Sequence, residues 1–254
     1  MHILVTNDDG VQAPGLLALA EAMRPLGRVS VVAPDRNWSI AGHAKTLSRP
    51  LRVNEVRLAD GSQALSCDGA PSDCVALALM GLLDEKPDLV VSGINPTANM
   101  GDDITYSGTV ANAMEAAISG LPAVAVSVDG LDSSCKTVEF AAAAHFGRRV
   151  VQQVIDNGLP LRVYLNVNVP CLPLGEILGC VVTRQGKRLY FDELIKRIDP
   201  FGRPYYWIGG DPPGGEGEAD TDVGALAAGY VSITPLQLDL TEHHEIENLS
   251  RRQW

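Results

Sequence analysis

Ile3-Leu4-Val5-Thr6-Asn7-Asp8-Asp9-Gly10 opens the chain and decides how the rest is read. Three apolar or β-branched residues drive a buried strand, and the strand stops at two adjacent carboxylates followed by a glycine. Like charges one residue apart raise the cost of ionisation, so the pair is best tolerated where a cation or several hydrogen bonds neutralise it. A hard divalent ion does this with few partners. An ordinary polar turn is the competing reading of Asn7 to Gly10.

Working outward, Ala13-Pro14-Gly15 introduces an Ala- and Leu-rich helix to about Arg24, and Gly27 closes it. Val29 to Ala33 is a second buried strand. Strand, helix and strand at this spacing imply a parallel pair with a right-handed crossover, the start of a Rossmann-like sheet. Ligands of such sheets sit at the carboxyl ends of the strands. The polar loop 34–43 should lie there beside the acidic loop, with Asn37 and Ser39 as neutral oxygen donors or plain turn residues. His43 is either an acid–base group or an exposed loop histidine.

Residues 45–67 read as a small antiparallel excursion. A turn at 69–73, with Ser72 and Asp73 as caps, precedes an apolar helix from Cys74 to Leu83. Asp88 to Gly93 is another buried strand. Its loop, 94–103, is crowded with small and amide side chains, among them Asn95 and Asn99. Tyr106-Ser107-Gly108-Thr109-Val110 then starts a helix to about Ser119. Free amides at a helix N-terminus, the Ser107 and Thr109 hydroxyls and the small Gly108 make an anion site there, although capping by Ser107 alone explains the same residues. Four polar loops converging on one sheet edge favour a site over coincidence.

A strand from Ala123 to Val128, a helix from Val138 to Ile155 and a strand from Arg162 to Val169 extend the core. Residues 184–207 hold six of the thirteen aromatics with six basic residues, a composition that suits a hairpin at a protein interface. A Gly- and acid-rich loop, 209–222, either mobile or tucked against a partner, and a last strand, 230–235, lead to a polar tail. The organisation expected is a Rossmann-like α/β core (1–183), a protruding hairpin and loop for oligomerisation (184–218) and a return strand with tail (219–254).

The net charge of −11 argues against nucleic-acid polymers and membrane surfaces as partners. No apolar run reaches the length of a membrane helix, and no signal-like segment precedes the first strand, so a cytoplasmic address is expected. Five cysteines without a C-x-x-C pair suggest buried or incidental thiols rather than a disulfide framework or a zinc site.

The opening motif, the loop from Ala33-Pro34 to Ser39, Gly69 to Val75, Ser92-Gly93-Ile94-Asn95, Tyr106 to Val110 and Gly229 to Leu236 together resemble the SurE survival proteins, a family of nucleoside monophosphate phosphatases. The matches run in order along nearly the whole chain. The resemblance implies one divalent ion, Mg²⁺ or Mn²⁺ (with Ca²⁺ an occupant in crystals), on Asp8, Asp9, Ser39 and Asn95. It also implies a hairpin exchanged between subunits of a homodimer or tetramer, hydrolysis of 5′- and 3′-nucleotides, and trimming of short polyphosphate. Two positions depart from the family pattern. Ile40 replaces the glycine that usually follows the serine ligand, so a positive φ there would be strained unless Gly42 supplies a shifted turn. Pro96-Thr97 replaces an Ala-Gly pair and stiffens its loop.

The expected chemistry is in-line attack of a metal-activated water on phosphorus, with Asp8 and Asp9 catalytic, Asp9 a candidate base, and Asn37, Asn99, Ser107, Gly108 and Thr109 on the substrate. A phosphoaspartyl route through Asp8 is less compatible with adjacent aspartates. A non-catalytic nucleotide sensor built on the same residues is the alternative from another class.

Overall fold

The computed structural model describes residues 1–130, 138–215 and 217–254, with 211–213 described as backbone only. β1 (His2–Thr6) is buried at every position. Its side chains alternate between two cores: Ile3 and Val5 face one, Leu4 the other. α1 (Pro14–Met23) returns the chain to β2 (Arg28–Pro34), parallel to β1. β3 (Val53–Arg57) pairs antiparallel with β4 (Gln63–Cys67), which lies parallel to β2, so the excursion expected over 45–67 is a two-strand extension of the sheet.

α2 (Pro71–Leu77), β5 (Leu89–Asn95), α3 (Gly108–Ile118), β6 (Ala123–Asp129), α4 (Ala141–Asn157) and β7 (Val163–Pro170) complete the doubly wound part. Short β8 (Cys180–Val182) is followed by the hairpin β9 (Arg188–Ile198) and β10 (Pro204–Gly215), then α5 (Asp222–Ala227), β11 (Val231–Gln237) and α6 (His243–Ser250). The main sheet runs β3-β4-β2-β1-β5-β6-β7-β11-β8, and β9-β10 stand apart as a second sheet. β11 inserts antiparallel to β7 and parallel to β8.

Leu16, Leu19 and Met23 of α1 and Phe146, Val150 and Val154 of α4 pack on the Ile3/Val5 side. Cys74 and Val75 of α2 and Val110, Ala113 and Ala116 of α3 pack on the Leu4 side. The chain leaves β1 toward the α1 face and β5 toward the α3 face. β1 and β5 are neighbours, so their carboxyl ends open a crevice at the topological switch point.

Close packing of α1 over β5 leaves no room for a side chain at Gly15: a Cβ there would lie 2.2 Å from the Ile94 carbonyl oxygen. Backbone cannot swing away as a flexible side chain can. Gly15→Ala is therefore expected to lower stability by about 1–3 kcal/mol, read as a reduced denaturation midpoint at unchanged m-value.

Several expectations need correction. The helix expected from Cys74 begins at Pro71, where the Asp73 carboxylate accepts the Ala70 N–H at 2.8 Å and the Thr46 N–H at 3.1 Å. The Ser72 hydroxyl is buried with no partner among the described residues, so it caps nothing. Much of the loop expected over 209–222 is strand, because antiparallel pairing with β9 carries β10 to Gly215 despite its glycines. The polar tail contains α6. Cys67 and Cys74 are buried thiols and Cys180 an exposed one, but Cys171 is disulfide-bonded; Cys135 lies outside the described residues. Among the described residues no helix is long and apolar enough to cross a membrane.

Candidate active site

At the end of β1 the Asn7 side chain closes a tight turn, with Nδ2 donating to the Gly10 carbonyl at 3.0 Å and Oδ1 accepting the Gly10 N–H at 3.2 Å. This turn aims both carboxylates into the switch-point crevice. Asp8 is buried against the start of α3, where its Oδ1 accepts the Thr109 hydroxyl at 2.5 Å. Burial pushes its carboxyl above the usual range, while the Thr109 hydroxyl and the backbone amides around it pull the other way. Asp9 is pushed up to about 7, first by burial and then by the charge of Asp8.

A Cβ on Gly108 would lie 2.7 Å from Cβ and 2.8 Å from Oδ2 of Asp8. Gly108→Ala is therefore expected to displace the carboxylate and lower the turnover of any reaction that depends on it about 10²-fold with little loss of fold, as measured by initial rates alongside circular dichroism.

The loop after β2 is pinned on both sides of the crevice. The Trp38 N–H donates to the Asp8 carbonyl at 2.8 Å, and the Gly42 N–H donates to the Tyr106 carbonyl at 2.9 Å. Between them Asn37 Oδ1 accepts the Ser39 N–H at 2.7 Å and the Ser39 hydroxyl at 2.6 Å, and Asn37 Nδ2 lies 3.5 Å from Asp9 Oδ1. Asn37 thus orients Ser39 beside the carboxylates. The Ala41 N–H closes a turn onto the Trp38 carbonyl at 3.1 Å with Ile40 at its third position, at φ 63°. The turn does not shift onto Gly42 alone: Ile40 and Gly42 both take positive φ. His43 is not free and does not line the cavity formed at the carboxylates: its Nε2 and Lys45 Nζ both bind the buried Glu115 of α3, at 2.9 and 2.6 Å.

From the β5 side, Asn95 Nδ2 donates to the Thr97 carbonyl at 2.6 Å. Asn99 is locked in place: its N–H and Nδ2 donate to Asn168 Oδ1 and Ser127 Oγ at 2.8 Å each, and its carbonyl accepts from Asn166 and Asn168. Ser107 caps α3, its Oγ accepting the Val110 N–H at 3.1 Å.

These loops enclose a cavity of about 460 Å³. Of the residues singled out from sequence, Asp8, Asp9, Asn37, Ser39, Asn95, Asn99 and Ser107 lie on its wall. Gly108 and Thr109 do not. Both are buried behind Asp8, and the Thr109 hydroxyl expected to meet substrate is engaged by that carboxylate.

The wall also holds Arg188 and Tyr190 from the base of β9, with Asp103 and Tyr106. Asp103 accepts Arg188 Nε and the Tyr190 hydroxyl, each at 2.7 Å. Asp103 and Tyr106 belong to segments the sequence singles out, but the only sequence signal for Arg188 and Tyr190 is the mixture of arginine and aromatics in 184–207, which points to an interface instead. Only the folded hairpin brings its base back to the crevice.

The wall residues suit a hard cation. Among the described residues neither Asp8 nor Asp9 has a basic partner, and Ser39 and Asn95 add neutral oxygens to the two carboxylates. No cluster of three His, Cys, Asp or Glu side chains occurs among the described residues, so a softer, nitrogen- or sulfur-rich site has no support there.

The model of the family "Survival protein SurE" matches residues 3–192. "5'-nucleotidase SurE" of Herpetosiphon aurantiacus is 53% identical over 255 residues, covering 100% of this chain and 99% of that protein. The protein of the same name from Pelobacter propionicus is 54% identical over 249 residues, covering 96% of each. Among solved structures, the SurE protein from Aquifex aeolicus superimposes with a TM-score of 0.85 at 45% identity over 98% of both chains. With the family match spanning most of the chain, and with relatives and fold in agreement over its full length, this protein belongs to the SurE family.

Proposed function

We propose that the chain is a cytoplasmic, divalent-metal-dependent 5′-nucleotidase that hydrolyses nucleoside monophosphates to nucleoside and phosphate, with 3′-nucleotides and short polyphosphate as further substrates. The observation that carries this reading is the pair Asp8 and Asp9. Both are pushed up by burial, neither has a basic partner among the described residues, and both face a cavity lined by further oxygen donors. The names of the relatives agree with it.

Asp8, Asp9, Ser39 and Asn95 would hold one Mg²⁺ or Mn²⁺ ion. When bound, such an ion supplies Lewis acidity toward the phosphoryl oxygens and makes water easier to deprotonate. The protein supplies the rest. Ser107 Oγ already accepts from Val110, so its hydrogen is left to donate to a phosphoryl oxygen. Asn99, immobilised by Asn168, Ser127 and Asn166, fixes the far side of the phosphate. Asn37 positions Ser39, and Thr109 with Gly108 positions Asp8. Asp9, on the cavity wall beside Asp8, is assigned the proton of the attacking water. In-line attack forms the new P–O bond as the ester P–O bond breaks, and the nucleoside oxygen leaves with the proton taken up by Asp9, returned to it through solvent.

The hairpin is assigned to assembly into a homodimer or tetramer, on the exposure of Phe201, Trp207 and Ile208. Replacing these three by serine is expected to lower the mass seen by light scattering to that of a single chain; an unchanged mass would refute the assignment.

Phosphate release from a panel of nucleoside monophosphates, with and without added Mn²⁺ or Mg²⁺, tests the proposal. Metal-dependent release supports it. Tight nucleotide binding without release would favour the sensor reading.

A further inference from the structure

The Ile40 side chain has no evident role in holding the fold together. It is 80% exposed, among the most exposed aliphatic side chains of the protein, yet it sits on the cavity wall. It is also one of only two described non-glycine residues at positive φ, a region that a β-branched side chain strongly disfavours. The strain is imposed from both sides. Trp38 is tied to the Asp8 carbonyl, Gly42 to the Tyr106 carbonyl and Ala41 to Trp38, so the turn cannot relax at Ile40 without releasing Ser39 from its place beside Asp9. That position of a turn ordinarily takes glycine. The surrounding bonds hold that strain, and residues held in this way cluster at ligand sites, which leaves the exposed Ile40 side chain on the cavity wall for a ligand to meet.

The cavity indicates what that contact is. The oxygen donors of Asp8, Asp9, Ser39, Asn95 and Ser107 account for a phosphate and a cation, which fill only part of about 460 Å³. The wall also carries apolar and aromatic surface, from Ile40, Pro96, Tyr106 and Tyr190. Tyr106 and Tyr190 are half exposed, and the Tyr190 ring is held by its hydroxyl bond to Asp103. Flat, partly apolar groups pack well between an aliphatic side chain and aromatic rings.

We infer that Ile40 is a specificity-determining residue: held in its left-handed turn, it packs on the nucleoside part of the substrate and favours nucleotides over small phosphate esters. This rests on the nucleotidase reading above and goes beyond it by naming the residue that recognises the leaving group.

Steady-state kinetics with adenosine 5′-monophosphate and with glycerol 2-phosphate test it on the wild type, Ile40→Gly and Ile40→Val. Glycine relieves the strain and removes the contact; valine keeps most of both. Ile40→Gly is expected to lower the ratio of kcat/KM for the nucleotide over glycerol 2-phosphate by about tenfold, through KM. Ile40→Val should stay within about twofold to threefold of wild type, since it lacks a single methylene. Ile40→Gly should also melt higher than wild type. An unchanged ratio in Ile40→Gly, or an equal fall for both esters, would overturn the inference while leaving the nucleotidase reading intact. A wild type that releases phosphate from neither ester would overturn both.

Discussion

Asp8→Asn is expected to lower phosphate release from nucleotides by at least about 10³-fold, the scale of losing several kcal/mol of transition-state charge stabilisation. The expectation follows from the charge the substitution removes, since beyond it only the hydrogen bonds of backbone amides to the carboxylate are disturbed. Asparagine is nearly the same size and keeps an oxygen to accept the Thr109 hydroxyl at the position held by Asp8 Oδ1. The buried charge is what disappears. Burial raises the Asp8 carboxyl above its usual range, so in the metal-free protein that charge is a burden on the folded state. The variant should therefore melt at or above the wild-type temperature without metal. Added Mn²⁺ or Mg²⁺ should raise the melting temperature of the wild type but hardly that of the variant, because only the former gains binding energy on folding. Activity and metal-free stability thus move in opposite directions, which mere unfolding cannot imitate. Turnover within tenfold of wild type, or an undiminished thermal response to metal, would remove Asp8 from the proposed metal site.

How much of this was legible beforehand depended on whether a feature is local. Ile3 to Val5 is buried on both faces, and hydrophobic run length alone signals that, so the parallel sheet and its polar carboxyl edge could be read directly. The convergence of 7–10, 34–43, 94–103 and 106–110 followed from that topology. What failed was direction within the site. Thr109 lies on the helix start where phosphate contacts were expected, but whether its hydroxyl faces the cavity or Asp8 depends on how closely α3 approaches β1, which the bare Gly108 sets. Arg188 and Tyr190 were hidden because their contact with Asp103 spans more than eighty residues. The run of glycines in 209–215 suggested a loop, but pairing across the hairpin overrode local propensity. Ile40 shows the reverse case: the substitution stood out in the sequence as a possible strain point, and the surrounding hydrogen bonds keep the turn while the residue bears the strain.

His43 is the sharpest instance of a residue whose role lies at a distance from its apparent chemistry, and it leads to the second large effect. Glu115 projects from α3, the helix whose start holds Asp8, and its carboxylate takes His43 and Lys45 from the loop that carries Asn37, Ser39 and Ile40. The Glu115 side chain is only 5% exposed, against 26% for His43 and 37% for Lys45. Burial alone would raise its carboxyl, yet the two hydrogen bonds and the charge of Lys45 outweigh burial and hold it below the ordinary range. A carboxyl lower in the folded state than in the unfolded chain contributes stability above its unfolded value, and that contribution is lost as pH falls through the folded one. Glu115→Ala is therefore expected to cost about 3 kcal/mol near neutral pH, the lower end for breaking a buried pair because the two cations left behind still reach water. For a chain of this size that is a fall of roughly 6–12 °C in melting temperature. The deficit should shrink as pH falls below the ordinary carboxylate range and through the lowered carboxyl of Glu115, where wild type loses the same interaction. Because the pair ties the loop to α3, nucleotidase activity should also need more Mn²⁺ for half-saturation, while kcat at saturating metal changes less. Glu115→Gln, which keeps the volume but presents an amide to Lys45, should fall between wild type and alanine. A melting temperature within 1–2 °C of wild type, roughly what an exposed ion pair contributes, would mean that the contact acts as a surface pair and does not hold the loop that carries Ser39 to the helix.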